Sequence, residues 1–274
     1  MKNTLVAFIV LLNFLGNAQT SKEINIGKSY HIYSKILNEE REYYVYLPDD
    51  YQENEDKQYP VVYLLDANIN FHSYTGLQQM LSRGRRGGFI PKMIVVGIVN
   101  TNRNRDLTPV KTKKLPEKFR KNKAMLEDGG GGENFLNFII NELRPELQQK
   151  YRTNSSATFV GHSFGGLTIM YTLLKHPEYF DNYLAIDPSI WWDDNYLFKL
   201  ANSAKDFFQF NNKRLFFSSS KRKPNMMSRS PLENVFNKQS FKGLKWKFKN
   251  YPEENHGSVI IPSEYDGLKF LFKN

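Results

Sequence analysis

Short apolar runs alternate with amphipathic segments along most of the chain. Continuous apolar runs bounded by polar or turn residues predict strands buried on both faces of a parallel sheet, and they occupy residues 61–65, 93–99, 157–160, 183–186 and 215–217. Residues 244–248 alternate between apolar and polar positions and predict one more strand. Residues 30–36 and 42–47 predict an antiparallel β-hairpin with its turn at 37–41.

Helical spacing of apolar residues is clearest over residues 134–151, where we expect a bend at Pro145. Residues 167–175 and 263–272 predict further helices. Strands that alternate with helices indicate an α/β fold, with a mostly parallel central sheet, helices on both faces and an N-terminal antiparallel hairpin. Because no internal repeat or linker interrupts the pattern, we expect residues 19–274 to form a single domain.

Two polar loops carry much of the positive charge. Residues 100–132 include seven basic residues between Lys111 and Lys123 and end in four glycines, and residues 218–229 contain three consecutive basic residues from Lys221 to Lys223. The 274-residue chain has 38 Lys and Arg against 28 Asp and Glu, a formal charge of +10. Since no nucleic-acid-binding motif accompanies these residues, we expect no nucleic-acid partner. We interpret most of them as a solvated face, although one loop near a cleft could attract an anionic substrate or the outer-membrane surface.

The first 18 residues have the pattern of an export signal. Lys2 is followed by a mostly apolar run over residues 5–15, and Gly16 and Ala18 provide the small residues of a cleavage site. The run is shorter than the roughly 20 residues that a bilayer-spanning helix needs, and we expect no stable membrane span. The signal therefore predicts a periplasmic or secreted protein. The absence of cysteine excludes a disulfide scaffold, a thiolate metal site and a cysteine nucleophile.

The segment from Gly161 to Gly166 reads GHSFGG and contains the pattern G-x-S-x-G. It lies directly after a predicted strand and directly before a predicted helix. A tight strand-to-helix turn lifts a serine out of the sheet, and glycines on either side permit the close backbone approach. We therefore predict that Ser163 is a nucleophile; an ordinary glycine-rich turn with a serine helix cap is the alternative.

A serine nucleophile needs a general base, and the chain has five histidines. In this type of site the chain order is serine, acid, histidine, which excludes His31 and His72. We expect His162 to point away from the serine and His176 to interact with a helix C-terminus. His256, in the loop after the last predicted strand, is the predicted base.

The acid is less tightly specified. No carboxylate follows residues 215–217 before Glu233, although this is where such sites usually place it. Asp187, at the end of the preceding strand, is favoured because a strand end is rigid. Glu254, two residues before His256, is a second candidate, and a Ser–His pair without an acid is a third possibility.

A tetrahedral intermediate also needs hydrogen-bond donors for its oxyanion. The backbone N–H of Phe164, the residue after the serine, is one predicted donor. The second should follow the strand over residues 61–65, from Asn68 or Ala67. Trp191 and Trp192 could line a substrate pocket near the serine, or could simply pack in the core.

Four segments together resemble the Putative esterase family of α/β-hydrolases, which includes the enterobactin esterases and esterase D; they are residues 59–66, 161–166, 187–192 and 254–259. The resemblance implies the α/β-hydrolase fold and a serine carboxylic-ester hydrolase, with Ser163 as nucleophile, His256 as base and no metal or organic cofactor. Such relatives act on siderophore triesters, on feruloyl or acetyl esters of polysaccharides, and on thioesters, so we expect a small-molecule or oligosaccharide ester substrate. A serine peptidase or acyltransferase, or a catalytically silent binding protein, are the alternatives on this fold.

Overall fold

A computed structural model describes residues 23–84, 88–113, 115–119, 121–204, 210–221, 232–238 and 241–273. The predicted export signal over residues 1–18 lies outside these ranges, as do Lys114, Arg120, Arg222 and Lys223 of the two basic loops. In the ranges just given, none of the helices combines the length and the apolar character that crossing a membrane requires.

Eight strands of the described chain form one sheet. They are β1 (Lys28–Ser34), β2 (Glu39–Tyr46), β3 (Tyr59–Leu64), β4 (Ile94–Ile98), β5 (Thr153–His162), β6 (Asn182–Ile186), β7 (Lys213–Ser219) and β8 (Leu244–Asn250). The order across the sheet is β1-β2-β4-β3-β5-β6-β7-β8. Strand β2 is antiparallel to β1 and β4, and every pair from β4 to β8 is parallel. The predicted mostly parallel sheet with an N-terminal antiparallel hairpin is confirmed.

Helices connect the parallel strands. They are α1 (Ala67–Ser82), α2 (Arg103–Asp106), a 3-10 turn (Glu117–Phe119), α3 (Lys123–Asp128), α4 (Gly132–Phe138), a π-helical turn (Ile139–Leu143), α5 (Arg144–Lys150), α6 (Phe164–Lys175), α7 (Trp192–Ala204), α8 (Leu232–Lys238) and α9 (Ile260–Leu271). The predicted helix over residues 134–151 is therefore present as α4, the π-helical turn and α5, while the bend expected at Pro145 stays a prediction. The π-helical turn ends two residues before Pro145. This placement fits proline, which cannot donate the backbone hydrogen bond of a regular α-helix.

Apolar side chains pack on both faces of the sheet. Val61 of β3 belongs to one hydrophobic cluster and the next residue, Val62, to a second. Successive side chains of a strand point to opposite faces, so the two clusters are the two sides of the sheet. Helix α6 contributes Leu167 to the first cluster, and α1 and α9 contribute Phe71 and Leu268 to the second. Burial on both faces explains the continuous apolar runs of the parallel strands.

Two predicted loop boundaries need correction. Residues 100–132 are not wholly irregular, because α2, the 3-10 turn and α3 lie within them. The polar side chain of Asn102 caps α2 by accepting from the backbone N–H of Arg105. A polar residue that is also common in loops therefore stabilises the start of a short helix here. The hairpin turn occupies residues 35–38 rather than 37–41, because Asn38 adopts a left-handed backbone (φ 55°) that closes a tighter turn.

A buried ion-pair network anchors α2 to the hairpin. Arg41 of β2 is 1% exposed and lies 2.7 Å from the carboxylate of Asp106, which is equally buried. Arg105 binds both Asp106 and Glu39, and Glu39 also contacts Arg41. Breaking a buried pair leaves an uncompensated charge at a cost of roughly 3–5 kcal/mol. The network therefore holds the start of the long polar segment in one position beside the carboxyl edge of the sheet.

Candidate active site

Ser163 occupies a sharp turn between β5 and α6. Its backbone has φ 61° and ψ −114°, a conformation that non-glycine residues rarely adopt. The turn is held because the N–H of Ser163 donates to the carbonyl of Ile186 at 2.9 Å. A Cβ atom at Gly161 would come within 2.6 Å of the carbonyl carbon of Gly165, so only glycine fits there. The G-x-S-x-G pattern thus forms a strained strand–turn–helix elbow.

The loop after β8 brings His256 to this elbow. Nε2 of His256 lies 3.0 Å from Oγ of Ser163, and Nδ1 lies 2.7 Å from Oδ2 of Asp187. Asp187 follows β6, which pairs in parallel with β5, so the carboxyl ends of the two strands deliver the serine and the acid to the same edge of the sheet. The structure thus brings together the three side chains that the sequence singled out.

The hydrogen positions follow from chemistry. An ionised carboxylate can only accept, so Nδ1 of His256 donates to Asp187. In a neutral imidazole the other nitrogen is then an acceptor, so Nε2 accepts from the hydroxyl of Ser163. This is the arrangement in which a histidine can remove the proton of a serine as the serine attacks.

Asp187 is 4% exposed and is held by residues at the end of β7. The hydroxyl of Ser220 donates to Oδ2 at 2.5 Å, and the Ser220 N–H donates to Oδ1 at 3.2 Å. Burial alone would raise the pKa of Asp187, but the hydrogen bonds from His256 and Ser220 outweigh burial and lower the pKa below its ordinary value. The Asp187 carboxylate therefore stays ionised and can only accept hydrogen bonds.

Glu254, the alternative acid, does not meet the imidazole. Among the described residues its side chain has no hydrogen bond to His256, and its backbone carbonyl accepts from the N–H of Lys221 at 2.8 Å. This backbone contact instead fixes the loop that carries His256 to the chain just after β7.

The ring of His162 contacts the ring of His256, a contact that the sequence did not predict. Its ring centroid lies 4.4 Å from that of His256, with the two rings tilted by 42°. Burial, together with the neighbouring His256, lowers the pKa of His162 to about 4. A neutral ring therefore packs against His256 without adding a positive charge beside it. His176 lies after α6, where its ring stacks on that of Tyr179 and its Nε2 atom contacts the carboxylate of Glu133.

The two predicted oxyanion donors lie at neighbouring helix N-termini. Phe164 is the first residue of α6 and Asn68 the second residue of α1. The first N–H groups of a helix have no intrahelical acceptor. Because β3 and β5 pair in parallel and Leu65 continues this pairing by donating to the carbonyl of Val160, the two helices start side by side. Backbone N–H groups at this edge can bind developing negative charge.

An ion pair that the sequence analysis missed fixes the start of α1. Asp66 has a left-handed backbone (φ 56°) and is 3% exposed. Arg103 donates to both of its carboxylate oxygens, at 2.6 and 2.9 Å, and Asn100 donates to Oδ1 at 2.6 Å. Arg103 also donates to the carbonyl of His162 at 3.3 Å, which ties α1 to the elbow. No local pattern marks Arg103, because its partners come from distant parts of the chain.

The two tryptophans occupy different environments. Trp192 has no exposed surface and its indole N–H donates to the carbonyl of Val110, so it packs in the core. Trp191 is partly exposed, stacks on Phe119 at 4.8 Å, and lies 5.7 Å from the ring of Phe164. Of the two, only Trp191 offers an aromatic surface beside the elbow. No cluster of three or more His, Asp or Glu side chains suited to a metal ion occurs within the described ranges.

Comparisons with known proteins agree with this architecture. The family model described as Putative esterase matches residues 34–231. The ferri-bacillibactin esterase BesA of Bacillus subtilis is 33% identical over 208 residues, covering 72% of this chain and 70% of that protein. A siderophore enterobactin esterase of Emericella nidulans is 28% identical over 246 residues, covering 77% of this chain and 81% of its own.

Among solved structures, an IroE-like serine hydrolase from Shewanella oneidensis superimposes with a TM-score of 0.83 at 38% identity, covering 90% of this chain and 80% of that one. The resemblance found in the four sequence segments and the predicted α/β-hydrolase fold are both confirmed. The chain belongs to the Putative esterase family and is a carboxylic-ester hydrolase of the α/β-hydrolase fold.

Proposed function

We propose that the protein is a serine esterase that works through an acyl-enzyme on Ser163, with His256 as general base and Asp187 as the acid that orients it. The observation that carries the proposal is the continuous chain of hydrogen bonds from Ser163 to His256 (3.0 Å) and from His256 to Asp187 (2.7 Å). A strained turn costs free energy, and a serine without a catalytic role would not require it. Ser163 is in addition aligned with a histidine that a buried carboxylate fixes in place.

In the first half of the reaction, Ser163 attacks the ester carbonyl carbon while its proton passes to Nε2 of His256. The carbonyl oxygen becomes an oxyanion that accepts from the N–H groups of Phe164 and Asn68. Asp187 stabilises the imidazolium and keeps its ring in line. As the intermediate collapses, the bond to the alcohol oxygen breaks and His256 donates the proton to that oxygen.

In the second half, water replaces the alcohol. His256 removes a proton from the water, which attacks the acyl carbon and regenerates an oxyanion at the same N–H groups. The bond to Oγ of Ser163 then breaks, and Oγ regains its proton from His256. The acid product leaves and the enzyme returns to its starting state.

The substrate class that we propose is a siderophore-type ester, because curated relatives carry names such as ferri-bacillibactin esterase and siderophore enterobactin esterase. The stacked rings of Trp191 and Phe119 offer an aromatic wall near the elbow, and Lys118 lies 5.2 Å from the Phe119 ring. An aromatic surface with a cation beside it suits an acyl group that is both aromatic and electron-rich. Esters of feruloyl or acetyl groups on oligosaccharides are the second class to test.

The first experiment measures p-nitrophenyl acetate and butyrate hydrolysis by the purified protein beside Ser163→Ala and His256→Ala. We expect both variants to lose most of the activity, since removing one member of such a site costs on the order of 10⁴-fold or more in kcat. Mass spectrometry of acid-quenched enzyme should show the added acyl group on the wild type and none on Ser163→Ala. Equal rates for wild type and Ser163→Ala would refute the assignment of the nucleophile.

A substrate panel then identifies the ester. Ferric enterobactin, feruloylated oligosaccharides and acetylated oligosaccharides should be compared by kcat/KM under one set of conditions. The proposal expects the siderophore ester to exceed both carbohydrate esters. A higher value for either carbohydrate ester would reassign the substrate class while leaving the serine mechanism in place.

We also propose that residues 1–18 direct export and that residues 19–274 form one catalytic domain. Lys2, the apolar run over residues 5–15 and the small residues before Gln19 support the proposal. Intact-mass measurement of the protein from the periplasm or medium should give the mass of a chain beginning near Gln19. Full-length protein confined to the cytoplasm would contradict it.

A further inference from the structure

The hydroxyl of Ser189 lies beside the hydroxyl of Ser163. The two Oγ atoms are 3.4 Å apart, and Ser189 is only 5% exposed. The segment after β6 that carries Ser189 is fixed to the elbow, because the Ser189 N–H donates to the carbonyl of Ser163 at 3.0 Å. The carbonyl of Ser189 in turn accepts from the N–H of Trp192 at 3.1 Å. Backbone hydrogen bonds therefore hold the two hydroxyls together.

The direction of this hydrogen bond follows from the rest of the site. Within the described part of the chain, Oγ of Ser163 is the one hydrogen-bond partner found for the Ser189 hydroxyl. Ser163 commits its own hydrogen to Nε2 of His256, because Nδ1 of that ring already donates to Asp187. Oγ of Ser163 can then only accept from Ser189. The donors run in one direction, from Ser189 to Ser163 to His256 to Asp187.

We propose that Ser189 is a further catalytic residue of ester hydrolysis, whose hydroxyl donates a hydrogen bond to the reacting oxygen of Ser163. The proposal rests on the proposed role of Ser163 as the nucleophile. While Ser163 loses its proton to His256 and attacks, Oγ carries partial negative charge that the Ser189 O–H stabilises. When the acyl-enzyme breaks down, the same hydrogen bond stabilises Oγ as it leaves the acyl carbon and regains its proton. No bond to Ser189 itself forms or breaks.

The distance of 3.4 Å suits a contact that strengthens during the reaction. Catalytic hydrogen bonds are often long in the free enzyme and tighten once the substrate is bound. A hydrogen bond gains strength when one partner becomes charged. The Ser189 hydroxyl would therefore contribute more in the transition state than in the resting enzyme, and such a difference accelerates the chemical step.

The test compares Ser189→Ala with the wild type by stopped-flow hydrolysis of p-nitrophenyl acetate, which separates the acylation burst from steady-state turnover. The backbone bond from residue 189 to Ser163 survives the substitution, so only the hydroxyl is lost. We expect both rate constants to fall by roughly 10-fold to 100-fold, the range for a hydrogen bond to a group with developing charge. The rate of covalent labelling by a fluorophosphonate should fall with them, because labelling also begins with attack by Oγ of Ser163.

Ser34→Ala is the matched control. Ser34 is also buried and its hydroxyl donates to Glu142, far from the elbow, so its loss should leave the rates per folded molecule unchanged. Circular dichroism measures the folded fraction, and Ser189→Gly removes the same hydroxyl if the alanine variant folds poorly. A burst rate for folded Ser189→Ala or Ser189→Gly that equals or exceeds the wild-type rate overturns the proposal. Failure of the nucleophile assignment is recognised separately, by full activity of Ser163→Ala.

Discussion

Ser220 at the end of β7 donates both its hydroxyl and its backbone N–H to the carboxylate of Asp187 at the end of β6. The position after β7, where sites of this type usually carry the acid, is therefore occupied by a serine that binds the carboxylate of Asp187. The carboxylate comes from the neighbouring strand and reaches His256 from there. The absence of a carboxylate between residues 218 and 232 is thus compatible with a complete Ser–His–Asp arrangement.

We predict that Asp187→Asn lowers kcat by about 10⁴-fold. An asparagine can donate where the carboxylate accepts, so it no longer fixes the His256 tautomer whose Nε2 accepts from Ser163. Glu254→Gln is the matched control, because that side chain has no hydrogen bond to His256 in the described structure. Steady-state kinetics on p-nitrophenyl butyrate distinguishes the two. Similar losses in both variants, or a loss in Glu254→Gln alone, would contradict the assignment of the acid.

The positions of Ser163 and His256 could be predicted because each depends on a local pattern, whereas the sequence only favoured Asp187 as the acid over Glu254 or a Ser–His pair. The elbow is a short segment between one strand and one helix, and the other two residues follow strands whose carboxyl ends meet at one edge. Ser189 and Arg103 could not be found in this way. Their contacts depend on how turns and a long polar segment fold back onto the elbow, and no spacing rule encodes such contacts.

Arg103 is predicted to support catalysis by positioning α1. Arg103→Met leaves the carboxylate of Asp66 with Asn100 as its remaining side-chain partner, and the start of α1 loses its link to the elbow. We expect kcat to fall by roughly 10-fold to 100-fold, because small displacements of an oxyanion donor are costly, with little change in KM. The free energy of unfolding should fall by about 1–3 kcal/mol. Kinetics and urea denaturation measure the two effects.

A double-mutant cycle isolates this pair. Asp66→Asn alone and Arg103→Met alone should each lower kcat and the free energy of unfolding. The double variant should lose much less than the sum of the two single losses, since neither charge then remains unpaired. Lys57→Met is the control, because Lys57 and Asp50 form a more exposed ion pair of about 0–1 kcal/mol far from the elbow. Strict additivity at positions 66 and 103 would show that the contact does not couple them.

The pattern of apolar residues does not predict helix α1. Its buried face includes Asn70, Thr75 and Gln78 beside apolar residues such as Phe71 and Tyr74. Polar residues at core positions dilute the apolar spacing that marks a helix. By contrast, the parallel strands β3 to β7 are buried on both faces over most of their length, and the sequence locates each of them within a few residues of its bounds.

Trp191 is predicted to contribute to substrate binding. Trp191→Ala removes the ring that stacks on Phe119, so KM for an aromatic acyl ester should rise about 10-fold, whereas kcat for p-nitrophenyl acetate should change little. Trp246→Ala is the control, since Trp246 is also partly exposed but packs on Phe217 and Phe236 and not on Phe119. Comparison of KM for aromatic and acetyl esters measures the effect. A parallel rise in KM for both esters would contradict a specific aromatic contact.

The last prediction concerns Glu264 in α9, a residue with only 1% of its surface exposed. Within the described residues its Oε2 has no hydrogen-bond partner, and neither has the hydroxyl of Tyr74 in α1. Burial raises the pKa of Glu264 from its ordinary 4.5 to about 8 in the folded protein. Between these two values the folded state holds a proton that the unfolded state has lost. The contribution of Glu264 to stability is therefore fully present below about pH 4.5 and is lost as the pH rises through about 8.

Glu264→Gln keeps the shape of the side chain and removes this titration. We expect the variant to be more stable than the wild type at pH 9 by several kcal/mol, since each unit of pKa difference corresponds to about 1.4 kcal/mol, and the gap should close toward pH 5. Urea denaturation at a series of pH values measures the gap, and the exposed Glu253→Gln should show none. A gap that is constant with pH, or one that widens toward acid, would mean that Glu264 is ionised in the folded protein at neutral pH.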